Sequence, residues 1–117
     1  MAHLSTHVLD TARGIPAKGV RIELLRIENG ERRRVATGVT NADGRIAAPL
    51  ISGDLLEVGI YELVFHAGDY FQAAGIALGE PPFLDQVAVR FGVAELNRNY
   101  HVPLLLSPFG YSTYRGS

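Results

Sequence analysis

Apolar and polar residues alternate along short stretches of the chain, which is the pattern of β-strands with one buried face. In the first stretch, residues 3–10, the even positions are mainly apolar, whereas the odd positions are polar. The polar positions are His3, Ser5 and His7. This alternation predicts a strand whose polar face carries a serine between two histidines.

Further stretches of this kind follow, separated by turn residues. They cover residues 20–28, 34–40, 45–49, 56–66, 84–93, 100–107 and 111–115. Asn29-Gly30 predicts a tight hairpin, because both positions tolerate positive φ. Leu24-Leu25 interrupts the alternation and predicts a β-bulge. About eight short strands at this spacing favour an antiparallel β-sandwich.

One short helix is expected after the strand predicted at residues 56–66. Asp69 is expected to cap its first turn, and Gln72, three residues on, to reach back in a capping box. Tyr70 and Phe71 lie in its apolar body and are expected to pack in the core.

Length and composition exclude several classes of protein. The chain has 117 residues, a formal net charge of -1 and no cysteine, and its length fits one domain spanning residues 1–117. Without cysteine there is no disulfide framework, thiol nucleophile or zinc–thiolate site. A charge near zero argues against nucleic-acid binding. Because no apolar run approaches about 20 residues and no signal peptide is evident, we expect no membrane partner and a cytoplasmic location.

The ionisable residues alone give few signals for catalysis. The four histidines, at positions 3, 7, 66 and 101, lack the spacing of a metal site. The sequence contains no phosphate loop, nucleophile elbow or paired-carboxylate motif. His66 is expected to be a surface or packing residue, and residues 32–34, three arginines, a solvated strand edge.

Several segments, in order along the whole chain, resemble the transthyretin-like family, and within it the branch of 5-hydroxyisourate hydrolases in purine catabolism. The matching segments are residues 4–10 with 14–17, 40–45, 61–63, 100–108 and the closing Tyr114-Arg115-Gly116-Ser117. The closing tetrapeptide is the most specific of them, because the hormone-carrier branch of the family lacks it.

The resemblance implies a sandwich of two four-stranded sheets with one short helix. It also implies a homotetramer, a dimer of dimers whose central channel is lined by the polar faces of the first, seventh and eighth strands. The implied reaction opens the six-membered ring of 5-hydroxyisourate, in urate degradation, with no metal or organic cofactor. The catalytic residues carried over are His7, Arg45, His101 and Ser117, and substrate would contact His7, Arg45 and Tyr114.

The alternation is compatible with these positions and leaves some roles open. Alternation along the last strand places Tyr114 on the channel side and Arg115 on the opposite side. A bend at Gly116 would then return Ser117 to the channel side. We hypothesise that His7 is the general base and that Arg45 clamps substrate and stabilises the oxyanion.

The roles of the other two residues are interchangeable at this stage. His101 would orient water or donate a proton, and Ser117 would hold a histidine through its hydroxyl or terminal carboxylate. Two other functions stay open. One is a carrier with an aromatic ligand in the tetramer channel, and the other is a monomeric adhesion or carbohydrate-binding sandwich.

Overall fold

The chain folds into two β-sheets that pack face to face with one short helix beside them, in a computed structural model that describes residues 2–52 and 55–116. The elements are β1 (His3–Asp10), β2 (Ile15–Pro16), β3 (Arg21–Glu28), β4 (Glu31–Val39), β5 (Ile51–Ser52), β6 (Gly59–Phe65), α1 (Ala67–Ala73), β7 (Val87–Val93), β8 (Tyr100–Ser107) and β9 (Gly110–Thr113). In the described part of the chain, no helix is long and apolar enough to cross a membrane.

The strand order confirms the predicted sandwich. The first sheet has the order β2-β1-β8-β9, with β5 also paired to β1, and the second has the order β4-β3-β6-β7. The first sheet has five strands where four were expected, and two of them, the two-residue β2 and β5, lie outside the predicted stretches. One strand pair, β1 with β8, runs parallel, and the other pairs are antiparallel.

Strand β1 has the two faces that its alternation predicted. Its even-numbered residues are buried between the sheets, and Leu4 and Val8 are fully buried against second-sheet residues such as Leu24 and Leu63. Burying each such side chain contributes roughly 1.5–3 kcal/mol. The odd-numbered residues lie half-buried on the outer face of the first sheet. The core therefore fixes which side chains of β1 point outward.

Two local predictions in the second sheet are confirmed. Asn29 and Gly30 both have positive φ, 52° and 79°, in the tight turn between β3 and β4. The pairing of β3 with β4 shifts register between Leu24 and Leu25, as expected for a bulge. The three arginines at 32–34 are exposed on β4, the edge strand of this sheet.

The predicted start of the helix is wrong. Helix α1 begins at Ala67, with His66 at the N-cap position and no side-chain capping bond. Tertiary contacts replace the cap, because the Gly68 amide donates to the Asp85 carbonyl oxygen at 2.8 Å. The His66 ring is buried and lies 2.7 Å from a Glu23 carboxylate oxygen, which makes it a packing residue. Asp69 therefore sits inside the first turn, where a negative charge is favourable.

Candidate active site

The outer face of the first sheet brings together side chains from β1 and β8. In the parallel pair, Ser5 lies directly opposite His101, and His7 lies opposite Pro103. Residues that face each other on neighbouring strands project to the same side of a sheet. Ser5, His7 and His101 therefore share one face, with the two imidazoles as diagonal neighbours on adjacent strands.

Arg45 reaches the same face from the other edge of β1. It follows a turn in which the Asn41 side-chain oxygen accepts hydrogen bonds from the amides of Asp43 and Arg45, at 2.9 and 3.1 Å. The Gly44 carbonyl oxygen accepts a 2.8 Å bond from the Val8 amide. This contact places Arg45 opposite His7 in an isolated antiparallel bridge. The strand-like segment predicted at residues 45–49 is reduced to this one bridge.

Gly44 is required at this turn for two reasons. Its φ is +76°, a conformation that side chains with a Cβ rarely adopt. A Cβ here would also collide with the Val8 carbonyl oxygen and lie 3.2 Å from Cδ2 of His7. The close approach of the turn to β1 is what brings Arg45 opposite His7.

The C-terminal segment covers the other side of His101. After β9 the chain keeps the antiparallel register set by Leu104 and Thr113, and the Gly116 amide donates to the His101 carbonyl oxygen at 2.7 Å. The register puts Tyr114 on the outer face, with its side chain exposed. Arg115 points to the opposite side, as parity predicted, and its guanidinium lies 4.5 Å from the centre of the Tyr100 ring. Ser117, the remaining predicted site residue, lies outside the described residues.

His7, Arg45 and His101 form what we call the basic cluster. Burial lowers the pKa of His101, and electrostatic repulsion from Arg45 and His7 lowers it further. His101 is therefore mainly neutral at pH 7, since an unperturbed histidine has a pKa near 6.5. Within residues 2–52 and 55–116, no aspartate or glutamate forms an ion pair with any of the three. An unbalanced positive cluster of this kind favours an anionic ligand or a developing oxyanion.

Ser5 is a contact that the sequence analysis did not assign. Its Oγ lies 2.9 Å from Nδ1 of His101. The sequence does place Ser5 on the polar face of β1, because it is an odd-numbered residue like His7. The sequence alone does not reveal that β8 pairs with β1 at this point.

Two cavities of the described structure lie away from the basic cluster. One of about 490 Å³ lies between β3, β4 and the chain around Leu50 and Ile51, where Arg26 lines it. A groove of about 340 Å³ runs between β7 and β9 and is lined by Tyr114 among others. The basic cluster itself stands on an open sheet face of the single chain. Across the described residues, no group of three or more His, Asp or Glu side chains is arranged to hold a metal ion.

A two-sheet sandwich whose outer face gathers two imidazoles, a guanidinium and the C-terminal segment defines a transthyretin-like protein with a polar, basic site. The model of the HIUase/Transthyretin family matches residues 4–116. The chain belongs to this family.

The comparisons with individual proteins connect this fold to two branches of the family. The chain is 58% identical to 5-hydroxyisourate hydrolase 2 of Rhizobium meliloti over 97% of this chain and 95% of the relative. The solved Klebsiella pneumoniae 5-hydroxyisourate hydrolase superposes with a TM-score of 0.83 at 39% identity over all of both chains. Sea bream transthyretin, solved in complex with thyroxine, has a TM-score of 0.88 at 32% identity, over 98% of this chain and 95% of that one. Both branches share the fold, and the sequence similarity is greater to the hydrolases.

Proposed function

We propose that the chain hydrolyses 5-hydroxyisourate to 5-hydroxy-2-oxo-4-ureido-imidazoline-5-carboxylate by opening the six-membered ring at an amide C–N bond. The similarity to hydrolases along nearly the whole chain supports the substrate. The single observation that carries the chemistry is the meeting of His7, Arg45 and His101 on one sheet face.

The proposed reaction adds one water molecule across the amide bond. The water oxygen bonds to the carbonyl carbon, one water proton goes to a base, and the leaving ring nitrogen receives a proton when the C–N bond breaks. His7 is the proposed base, because an imidazole exchanges protons near neutral pH. His101, mainly neutral because its pKa is lowered, accepts and passes on a proton without carrying a standing charge.

Arg45 is the proposed clamp for the substrate. A guanidinium presents paired N–H donors that match the carbonyl and ring-nitrogen edge of a urate-like anion. The same donors stabilise the oxyanion that forms as water attacks. Tyr114, exposed on the same face, is proposed to contact the substrate ring. For Ser117 we propose that the hydroxyl orients a histidine of the cluster.

The site is proposed to be completed in a homotetramer, a dimer of dimers. On the single chain the cluster stands on an open face and needs further walls to exclude water. Tyr114, with 58% of its surface exposed, lies on this face, and exposed aromatic side chains are typical of interaction surfaces. Strand β9 is also a sheet edge with unpaired backbone groups. Size-exclusion chromatography with light scattering tests the tetramer, because a monomeric adhesion or carbohydrate-binding domain would elute at about 12.7 kDa.

We further propose that residues 1–117 form one transthyretin-like domain that acts in the cytoplasm. A hydrophobic cluster that draws on both sheets and α1 supports the single domain. Limited proteolysis tests the domain, and cell fractionation tests the compartment.

The experiment for the proposed activity follows the ultraviolet absorbance of freshly generated 5-hydroxyisourate. The wild-type chain should accelerate its decay, and His7→Asn should lower turnover by about 10²–10⁴-fold with an unchanged oligomeric state. Lys18→Gln, an exposed residue away from the face of the basic cluster, serves as the control and should keep wild-type turnover. If the wild type leaves the decay unchanged, the chain fits the carrier branch. Full activity in His7→Asn would remove this histidine from the mechanism.

A further inference from the structure

Ser5 forms a side-chain hydrogen bond with His101 that the proposed mechanism does not use. Ser5 Oγ lies 2.9 Å from Nδ1 of His101, and the two residues face each other directly across β1 and β8. Both residues are half-buried. The alternate residues of β1 and β8 are buried in the core, which fixes the backbone positions of Ser5 and His101.

Gly116 restrains the His101 ring from another direction. A Cβ at Gly116 would lie 2.6 Å from Cδ2 of His101 and 3.2 Å from Cγ, so the glycine backbone packs closely against that ring edge. The His101 carbonyl oxygen also accepts the Gly116 amide at 2.7 Å. Nδ1 is bonded to Ser5 and the Cδ2 edge is covered. The remaining ring edge, formed by Nε2 and Cε1, is therefore the one left to face a substrate on the open sheet face.

We infer that Ser5 is a positioning residue, which holds the His101 ring so that an unprotonated Nε2 faces the substrate. The inference rests on the proposed role of His101. The hydrogen bond at one imidazole nitrogen determines which nitrogen carries the proton. Arg45 stands on the same sheet face, and its positive charge favours a lone pair over an N–H at the nitrogen that does not bond Ser5. Ser5 Oγ therefore accepts a hydrogen bond from Nδ1–H.

This arrangement lets His101 transfer a proton without changing its hydrogen bond to Ser5. Nε2 takes up the proton that His7 has removed from the attacking water, which returns His7 to its neutral form and gives an imidazolium at His101 that still donates Nδ1–H to Ser5. Nε2 then releases a proton to the leaving ring nitrogen, and the starting state returns. Without the hydroxyl, the torsion about Cβ–Cγ, which is broad for histidine, would let the ring turn away.

The test compares Ser5→Ala and Ser5→Thr with a matched control, Ser107→Ala. Ser107 is also a half-buried serine of the first sheet, and its Oγ donates one hydrogen bond, to the Gly110 carbonyl oxygen at 3.1 Å. For Ser5→Ala we expect kcat to fall by about 10–100-fold, by analogy with the loss of hydrogen-bond partners of metal-binding histidines, with KM changed less. Ser5→Thr keeps the hydroxyl and should recover most of kcat, and Ser107→Ala should match the wild type.

Nitrogen-15 NMR of labelled histidine measures the tautomer of His101, which would not change if Ser5 had only a structural role. The wild type should show His101 as a single tautomer with its proton on Nδ1, and Ser5→Ala should show a mixture. A wild-type spectrum with the proton on Nε2 overturns the inference even if Ser5→Ala fails to fold. The inference is also overturned if Ser5→Ala keeps wild-type kcat while His101→Asn is inactive. That result would leave the proposed active site unchanged. Full activity in His101→Asn would instead contradict the proposed function of His101.

Discussion

Strand β1 contributes to two polar clusters that are built in opposite ways. Toward its end, the Asp10 side chain is fully buried and accepts hydrogen bonds from the Arg13 amide, the Arg13 side chain and the Tyr70 hydroxyl, at 3.1, 3.0 and 2.8 Å. We call these three residues the carboxylate network. Three residues earlier, on the opposite face of the strand, His7 belongs to the basic cluster, whose side chains form no ion pair with an acidic residue among the described residues.

The difference separates a stabilising network from a binding site. A buried carboxylate is tolerated only when its hydrogen bonds are satisfied, and the carboxylate network satisfies those of Asp10. The basic cluster leaves positive charge unbalanced on an open face, which costs stability but favours an anionic substrate and the oxyanion formed from it. Substitutions in the carboxylate network should therefore lower the free energy of unfolding, and substitutions in the basic cluster should lower turnover.

A large effect on this comparison is expected from Gly116→Ala. The added Cβ, 2.6 Å from Cδ2 of His101, must displace either the C-terminal segment or the ring. Misplacement of a reacting group by about 1 Å costs up to about 100-fold in rate, and turnover measured by the absorbance assay should fall toward that limit.

Gly110→Ala is the matched control for that substitution. Its Cβ would meet only Ser107 Oγ at 3.7 Å, an ordinary contact, and it should keep wild-type turnover. Equal turnover in the two alanine variants would show that the contact between Gly116 and His101 does not matter for catalysis.

A smaller effect, on stability alone, is expected from Asp10→Asn. Burial by itself would raise the pKa of Asp10, but the hydrogen bonds from Tyr70 and Arg13 outweigh it and hold the pKa below its usual value. The ionised carboxylate therefore stabilises the fold above the unfolded pKa of about 3.9, and this contribution is lost as pH falls through the folded pKa. The variant should be less stable by about 1–3 kcal/mol at pH 7, as measured by urea denaturation.

The pH dependence makes that prediction specific. The difference in unfolding free energy between wild type and Asp10→Asn should shrink as pH is lowered below about 4. Asp69→Asn, whose side chain is 75% exposed, is the control and should change stability little at either pH. A difference that stays constant from pH 7 to pH 3 would mean that the ionised carboxylate of Asp10 is not what stabilises this end of β1.

The sequence predicted the strands better than it predicted the contacts between them. Strands β1 and β8 begin and end where the alternation placed them, since one face of β1 is buried along its whole length and that leaves a period-two pattern. The helix start was missed because a distant carbonyl, that of Asp85, satisfies the Gly68 amide.

The site depended on information that no local pattern contains. The alternation of polar and apolar residues put His7 and His101 on outward faces. The contact of Ser5 with His101 depends on the parallel pairing of β1 with β8, which joins residues 96 positions apart. Arg45 came from the family resemblance, because an exposed arginine after a turn is otherwise unremarkable. The bridge to His7 depends on the close approach of Gly44 to β1.

The most direct measurement makes the same substitution in both clusters, Arg45→Gln and Arg13→Gln, and determines turnover and unfolding free energy for each. Loss of a group that stabilises an oxyanion costs about 10²–10³-fold in kcat, so Arg45→Gln should lose turnover and keep its stability within about 0.5 kcal/mol. Arg13→Gln should keep turnover and lower the free energy of unfolding, because the buried Asp10 carboxylate loses a charged hydrogen-bond donor. Wild-type turnover in Arg45→Gln would contradict the assignment of the basic cluster as the hydrolytic site.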